Sequence, residues 1–134
     1  MNDYTVASIK DVTNAFAEHG WPGDMKFLTT PLGNEQVAIT YRKMPKRSGG
    51  KGGYGHFHHT QEEVVYVIKG EIEVKIGDDI RTLNAGDAIR IAPSAVRSLD
   101  NEREEEAEIL IISTKLASGA TDDTEQVPNF WPEN

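Results

Sequence analysis

The stretch Gly50–Gly70, GKGGYGHFHHTQEEVVYVIKG, decides the reading of this chain. It sets His56 and His58 two residues apart, Glu63 five residues later, and a turn glycine at position 70. Side chains on an extended strand alternate with period two, so His56 and His58 share a face. Imidazole is the commonest metal ligand near neutral pH, and a carboxylate from a neighbouring strand can complete an N,N,O set. The segment reads as a metal-binding hairpin. Two rivals lie one residue away. Alternation turns His59 away from His58. Glu62 competes with Glu63, and a one-residue slip would flip the face presented.

Strand signals surround this hairpin. Gln36–Met44 carries Val37, Ile39 and Tyr41 at period two. Glu63–Lys69 is rich in β-branched residues. Glu71–Ile76 sets Ile72, Val74 and Ile76 on one face and Glu71, Glu73 and Lys75 on the other. A Gly77-Asp78-Asp79 turn leads into Ile80–Leu83, and Asn84–Asp87 forms another turn. Ala88–Ile91, Val96–Leu99 and Ala107–Ser113 follow. Short strands at regular spacing, each closed by turn residues, indicate an all-β sandwich or barrel. Ser8–His19 predicts a short helix, with Ser8 as cap, Ile9, Val12 and Phe16 on one stripe, and Gly20 then Pro22 past its end. The Phe130-Trp131 pair near the end of the chain is expected to dock on the body or on a second subunit.

Composition narrows the function. The 134 residues suit one domain with a modest core. The net charge of −8 and pI near 4.9 repel phosphate backbones and anionic bilayers, so neither nucleic acid nor membrane is an expected partner. The absence of cysteine excludes disulfides, thiolate chemistry and Cys-ligated zinc. The N-terminus shows no basic segment followed by an apolar run, and no stretch reaches the ~18 apolar residues of a membrane helix. A soluble cytoplasmic protein is expected. The glycine-rich segment Pro45–Gly55 lacks the G-x-x-x-x-G-K-[ST] pattern, so it reads as a connection at a barrel mouth. Its Lys46, Arg47 and Lys51 could attract an anion. The acidic run Glu102–Glu106 reads as a solvated loop.

At Gly50, His56-Phe57-His58, Glu63 and Gly70 the chain resembles the cupin superfamily of small β-barrels. Every spacing of the first cupin motif is matched. The second motif corresponds to GDAIRIAPSAVRSLDN, where Gly86, Asp87 and Asn101 agree. Ala92-Pro93-Ser94 stands where Pro-x-Gly is usual, and Arg97 stands where the last metal-binding histidine belongs. The resemblance spans about 32–116. It implies a single antiparallel cupin barrel of jelly-roll type at 32–116, an N-terminal extension with a short helix at 1–31, and an irregular tail at 117–134. It also implies a homodimer.

Arg97 changes the chemistry. A guanidinium stays protonated and has no lone pair for a cation. His56, His58 and Glu63 are then the metal-ligand candidates, a set similar to the two-histidine, one-carboxylate triad of non-haem iron sites. Fe, Mn, Ni or Zn are all candidates. Arg97 could orient an anionic substrate or steady developing negative charge, which gives it a catalytic role. It could equally pair with Glu63 in place of a metal. Two functions follow. One is a metal-dependent enzyme of dioxygenase or isomerase type acting on a small anionic molecule. The other is a metal-free module binding a small anion through Arg97 and the histidines. Tyr54, Phe57 and Tyr66 could line either pocket.

Overall fold

The computed structural model describes residues 3–117 and 121–133. The expected extension and tail include residues 1–2, 118–120 and 134, which lie outside the described residues. Among the described residues eleven strands run in order: β1 (Asp24–Phe27), β2 (Val37–Met44), β3 (Ser48–Gly49), β4 (Gly55–His58), β5 (Glu63–Lys69), β6 (Glu71–Ile76), β7 (Asp79–Asn84), β8 (Ala88–Ile91), β9 (Arg97–Asn101), β10 (Ala107–Thr114) and β11 (Thr124–Val127). They form two antiparallel sheets. One is ordered β1-β2-β10-β5-β8 and the other β11-β4-β9-β6-β7, with β3 beside β9. Facing each other, they make the jelly-roll barrel that the alternation and the motif spacing predict.

The inner faces carry the core. Met44, Val65, Val67, Ile91, Ala107 and Ile109 of the first sheet pack against Ile72 and Val74 of the second. Burying each of the larger aliphatic side chains contributes roughly 1.5–3 kcal/mol, so this layer is the main stabilising element. Ile72 and Val74 face inward as their alternation predicts.

Several motif residues prove to be joints. Gly70, between β5 and β6, adopts φ +82°, and a Cβ there would stand 2.8 Å from the Glu106 carbonyl oxygen. Only glycine meets both constraints. Asn101 is fully buried and ties the end of β2 to the loop between β9 and β10. Its Nδ2 donates to the carbonyls of Met44 and Glu105 at 3.0 and 2.9 Å, and its Oδ1 accepts from the Arg103 N–H at 2.9 Å. Asp87 accepts the Asn84 N–H at 2.8 Å and closes the turn before β8.

Two flanking segments join the sheets. The expected Ser8–His19 helix is replaced by two single 3-10 turns, Ile9–Asp11 and Ala17–His19. Asn14 supplies the reason. Its side-chain oxygen accepts the N–H groups of Phe16 and Met25, and its amide donates to Gly23 O and Asp24 Oδ1. Such side-chain bonds compete with a helical ladder. They tie the segment to β1, which pairs with β2. Among the described residues one α-helical turn, α1 (Thr29–Leu32), follows β1.

The tail is less irregular than its sequence suggests. Its strand β11 pairs with β4, from Thr124 opposite His58 to Val127 opposite Gly55. Trp131 is buried, and it exchanges backbone hydrogen bonds with Gly52 and Gly53. Gly55 is small because the Phe130 ring passes above it: a Cβ would lie 2.5 Å from that ring. Phe130 also covers the Lys75 ammonium at 4.0 Å. The aromatic pair therefore docks on the barrel itself.

Candidate functional site

Strand β4 presents His56 and His58, β5 opens with Glu63, and β9 opens with Arg97. His56 and Arg97 sit directly opposite each other in register. His58 Nε2 lies 3.6 Å from Glu63 Oε2, and His56 Nε2 lies 4.0 Å from Glu63 Oε1. One ligand atom from each of the three residues falls within 4.8 Å of the others. The alternatives are turned away. His59 pairs with Glu125 at 2.9 Å on the surface, and Glu62 pairs with Arg90 at 2.8 Å, also exposed.

The surroundings leave the imidazole lone pairs available. Burial lowers the His56 pKa to about 4, and the charges of Arg97 and Arg42 and the neighbouring His58 add to the effect. The ring is neutral at pH 7. Burial also lowers His58, with Glu63 and Asp123 opposing the shift. His58 Nδ1 lies 3.1 Å from Thr124 Oγ1 and 3.5 Å from Asp123 Oδ2. Asp123 is itself held by the Thr60 hydroxyl and the N–H groups of Thr60 and Gln61. Those hydrogen bonds outweigh burial and keep its carboxyl below the usual range. A carboxylate behind a histidine fixes the ring and raises the basicity of the opposite nitrogen. That nitrogen, Nε2, is buried without a hydrogen-bond partner and faces Glu63. The donor set and this orphaned atom fit a divalent cation.

Arg97 is occupied. It is 1% exposed. Its Nη1 donates to the carbonyls of Pro93 and Ala95 at 3.0 and 2.9 Å, and Nη2 reaches Ala92 O at 3.4 Å. Its Nε lies 3.2 Å from Glu63 Oε1. The task of orienting an anion, which the sequence reading assigns to Arg97, meets a guanidinium whose two terminal nitrogens are already committed to the backbone. It borders the cavity and also steadies Glu63.

A cavity of about 610 Å³ opens over the cluster, lined by His56, Glu63 and Arg97 among others. Of the three aromatic candidates only Tyr54 borders it. Phe57 packs at 5.6 Å against His59 outside, and Tyr66 lies between the inward Val65 and Val67 on the opposite face. The basic residues of the glycine-rich segment are engaged elsewhere. Lys46 and Arg47 pair with Glu104, and Lys51 pairs with Glu102 at 3.1 Å. The acidic run is their counterion.

Sequence reasoning passes over Arg42, Phe16, Trp21 and Asp123. Arg42 lies on β2 opposite Met25 and Ile109, so it shares the inner face and borders the cavity. Strand alternation carries that signal, but the apolar Val37, Ile39 and Tyr41 point attention to the other face. Phe16, Trp21 and Asp123 arrive by long-range docking, which no local pattern announces.

A jelly-roll barrel with a His-His-Glu cluster at one mouth defines a class of small β-barrels. The chain belongs to the cupin family: the model of the cupin domain matches residues 47–113. A cupin protein from Bacteroides fragilis superposes with a TM-score of 0.69 at 22% identity, over 88% of this chain and 89% of that one. The polyketide cyclase RemF from Streptomyces resistomycificus superposes at 0.68 and 17% identity, over 82% and 78%. A curated relative, the oxidoreductase OpS7 of Beauveria bassiana, is 29% identical over 69% of this chain. The match spans 36% of that protein's length. Among the described residues no helix is long and apolar enough to cross a membrane.

Proposed function

We propose that the protein is a metal-dependent enzyme of oxidoreductase type, working on a small anionic organic molecule held in the barrel cavity. His56, His58 and Glu63 would hold the cation, with Fe, Mn, Ni and Zn as candidates. The observation that carries this reading is His58 Nε2, a buried lone-pair donor with no hydrogen-bond partner among the described residues, aimed at Glu63 and backed by Asp123 and Thr124. Leaving such an atom unsatisfied costs roughly 1–3 kcal/mol, which a ligated cation would offset. When bound, the ion supplies Lewis-acid activation or redox chemistry. The chain's own residues supply the rest. Arg97 fixes the Glu63 carboxylate, Thr124 and Asp123 fix the His58 ring, and Val65, Ile91 and Ile111 keep the cavity floor apolar. The name of the OpS7 relative favours an oxidative reaction over an isomerisation.

One observation favours a metal-free binding module instead. Arg97 lies 3.2 Å from Glu63 and already offers it a counter-charge. Metal content separates the two readings. After reconstitution with Fe(II), Mn(II), Ni(II) and Zn(II) in turn, the wild type should retain about one equivalent of at least one ion by elemental analysis. His58→Ala and Glu63→Gln, with the fold checked by circular dichroism, should lose it. Substoichiometric binding of all four ions would sink the enzyme reading and leave the module.

A further inference from the structure

Across the cavity from Arg97 stands a second arginine. Arg42 lies on the inner face of β2, opposite the fully buried Ile109. Its Nε is buried without a hydrogen-bond partner. Among the described residues no carboxylate lies within ion-pair distance of it and no side chain or carbonyl accepts from it. Its one close partner is the Phe16 ring, 5.8 Å from the guanidinium carbon. Burial lowers its pKa from the usual arginine value, and only Tyr54 and Asp100 act the other way. A half-buried cation whose Nε is cut off from water and which has no anion beside it is costly, and proteins seldom keep one without a use.

We infer that Arg42 is the receptor for the acid group of the ligand, and that the ligand is a small carboxylic acid with a flat apolar body. The inference rests on reading the cavity as a substrate site, and it does not require the metal.

Charge comes first. Arg42 and Arg97 face the cavity against Glu63 alone of its lining acids, and Arg97 already spends its charge on Glu63 and three carbonyls. One positive charge is left over, which fits a monoanion. Shape comes next. A guanidinium offers a planar fork that matches a carboxylate in two parallel hydrogen bonds. A phosphate would call for further donors, yet Lys51, the lysine of the cavity rim, is taken by Glu102. The walls come last. Phe16 and Trp21 border the opening in edge contact at 5.6 Å, with Tyr54 beside them, and Val65, Ile91 and Ile111 make the floor. Trp21 is 55% exposed and Tyr54 56% exposed, large apolar surfaces that a flat ligand would cover.

The test uses benzoate as probe, with benzamide and inorganic phosphate as controls, on metal-stripped and metal-loaded full-length protein. Binding is followed by titration calorimetry. Wild type should bind benzoate at least tenfold more tightly than benzamide or phosphate. Arg42→Gln should raise the benzoate Kd at least tenfold, and Arg42→Lys should recover part of it. Trp21→Ala should weaken benzoate and benzamide alike. Equal affinity of wild type for benzoate and benzamide overturns the inference without any variant. So does tighter binding of phosphate, or an unchanged benzoate Kd in folded Arg42→Gln. Metal equivalents measured on the same samples keep the two readings apart. Benzoate binding through Arg42 in a protein that takes up no metal defeats the enzyme reading alone. Full metal uptake with no dependence on Arg42 defeats this inference alone.

Discussion

Arg97 on β9 and Arg42 on β2 border one cavity from opposite sheets, and their surroundings differ. Arg97 donates to carbonyls of the turn between β8 and β9 and faces Glu63. Arg42 has an aromatic ring beside it and an orphaned Nε. Neither Nε makes a hydrogen bond within the described residues, but that of Arg97 faces Glu63 at 3.2 Å and its terminal nitrogens reach carbonyls, so the fold's own groups engage it. A guanidinium left without such partners is a cost to the isolated chain, and it points to something that arrives from outside. With Arg42 as the proposed receptor, the same residue type would take a structural duty on one wall and a recognition duty on the other.

The largest expected effect would break this comparison outright. Arg97→Leu strips Glu63 of its counter-charge and leaves the Pro93 and Ala95 carbonyls without their donor. It should destabilise the protein by about 3–5 kcal/mol in urea unfolding, as removal of one partner of a buried pair does. A loss below ~1 kcal/mol would mean that Arg97 is not the clamp its contacts describe. Trp131→Ala comes next. Undocking the tail should cost about 3–5 kcal/mol, and β11 should become sensitive to limited proteolysis. Protection equal to wild type would show that the strand holds without its anchor.

Asp123→Asn tests the support behind His58. It keeps the shape and removes the charge, so metal affinity should fall about 10–100-fold with the fold retained. Unchanged affinity in a metal-competition assay would confine Asp123 to capping Thr60 and Gln61.

The pH dependence is smaller. Burial raises the Asp100 pKa to about 6, with Glu102 adding and Lys51 opposing. Its ordinary value is 3.8, so between pH 4 and 6 the folded chain binds the proton more tightly than the unfolded one. Stability from this group is present at low pH and is lost as pH rises through 6. Asp100→Asn should flatten that slope, by on the order of 1–2 kcal/mol across the window, in melts at pH 4 and pH 7. Parallel curves for the two proteins would contradict it. The result also bears on Arg42, since Asp100 is one of two groups that favour its charge.

The smallest effect sharpens the contrast. Arg42→Leu removes an unpaired, half-buried charge and should change stability by no more than ~1 kcal/mol, in the stabilising direction. A loss comparable to that of Arg97→Leu would place both arginines in the same structural class.

Most of the barrel was legible because its signals are local. Glu63–Lys69, Glu71–Ile76 and Ala88–Ile91 coincide with β5, β6 and β8, since alternation and turn glycines act within a few residues. The flanks were not legible for the complementary reason. Residues 8–19 carry a helical stripe, but Asn14 bonds to a strand ten residues on and overrides it. Strands β1 and β11 exist because β2 and β4 offer them edges.

The sequence by itself determined that His56 and His58 share a face, that Glu63 begins the next strand, and that Arg97 cannot ligate a metal. These follow from strand period and from the chemistry of each side chain. Tertiary structure decided what each group is free to do. Alternation gives relative facing and not absolute facing, so only the packed barrel turns Arg42 inward and Tyr66 outward. Only the docked tail brings Asp123 and Thr124 behind His58, and only the turn after β8 engages the terminal nitrogens of Arg97. Satisfaction of a buried polar group depends on every neighbour in space, and that is a property of the whole fold.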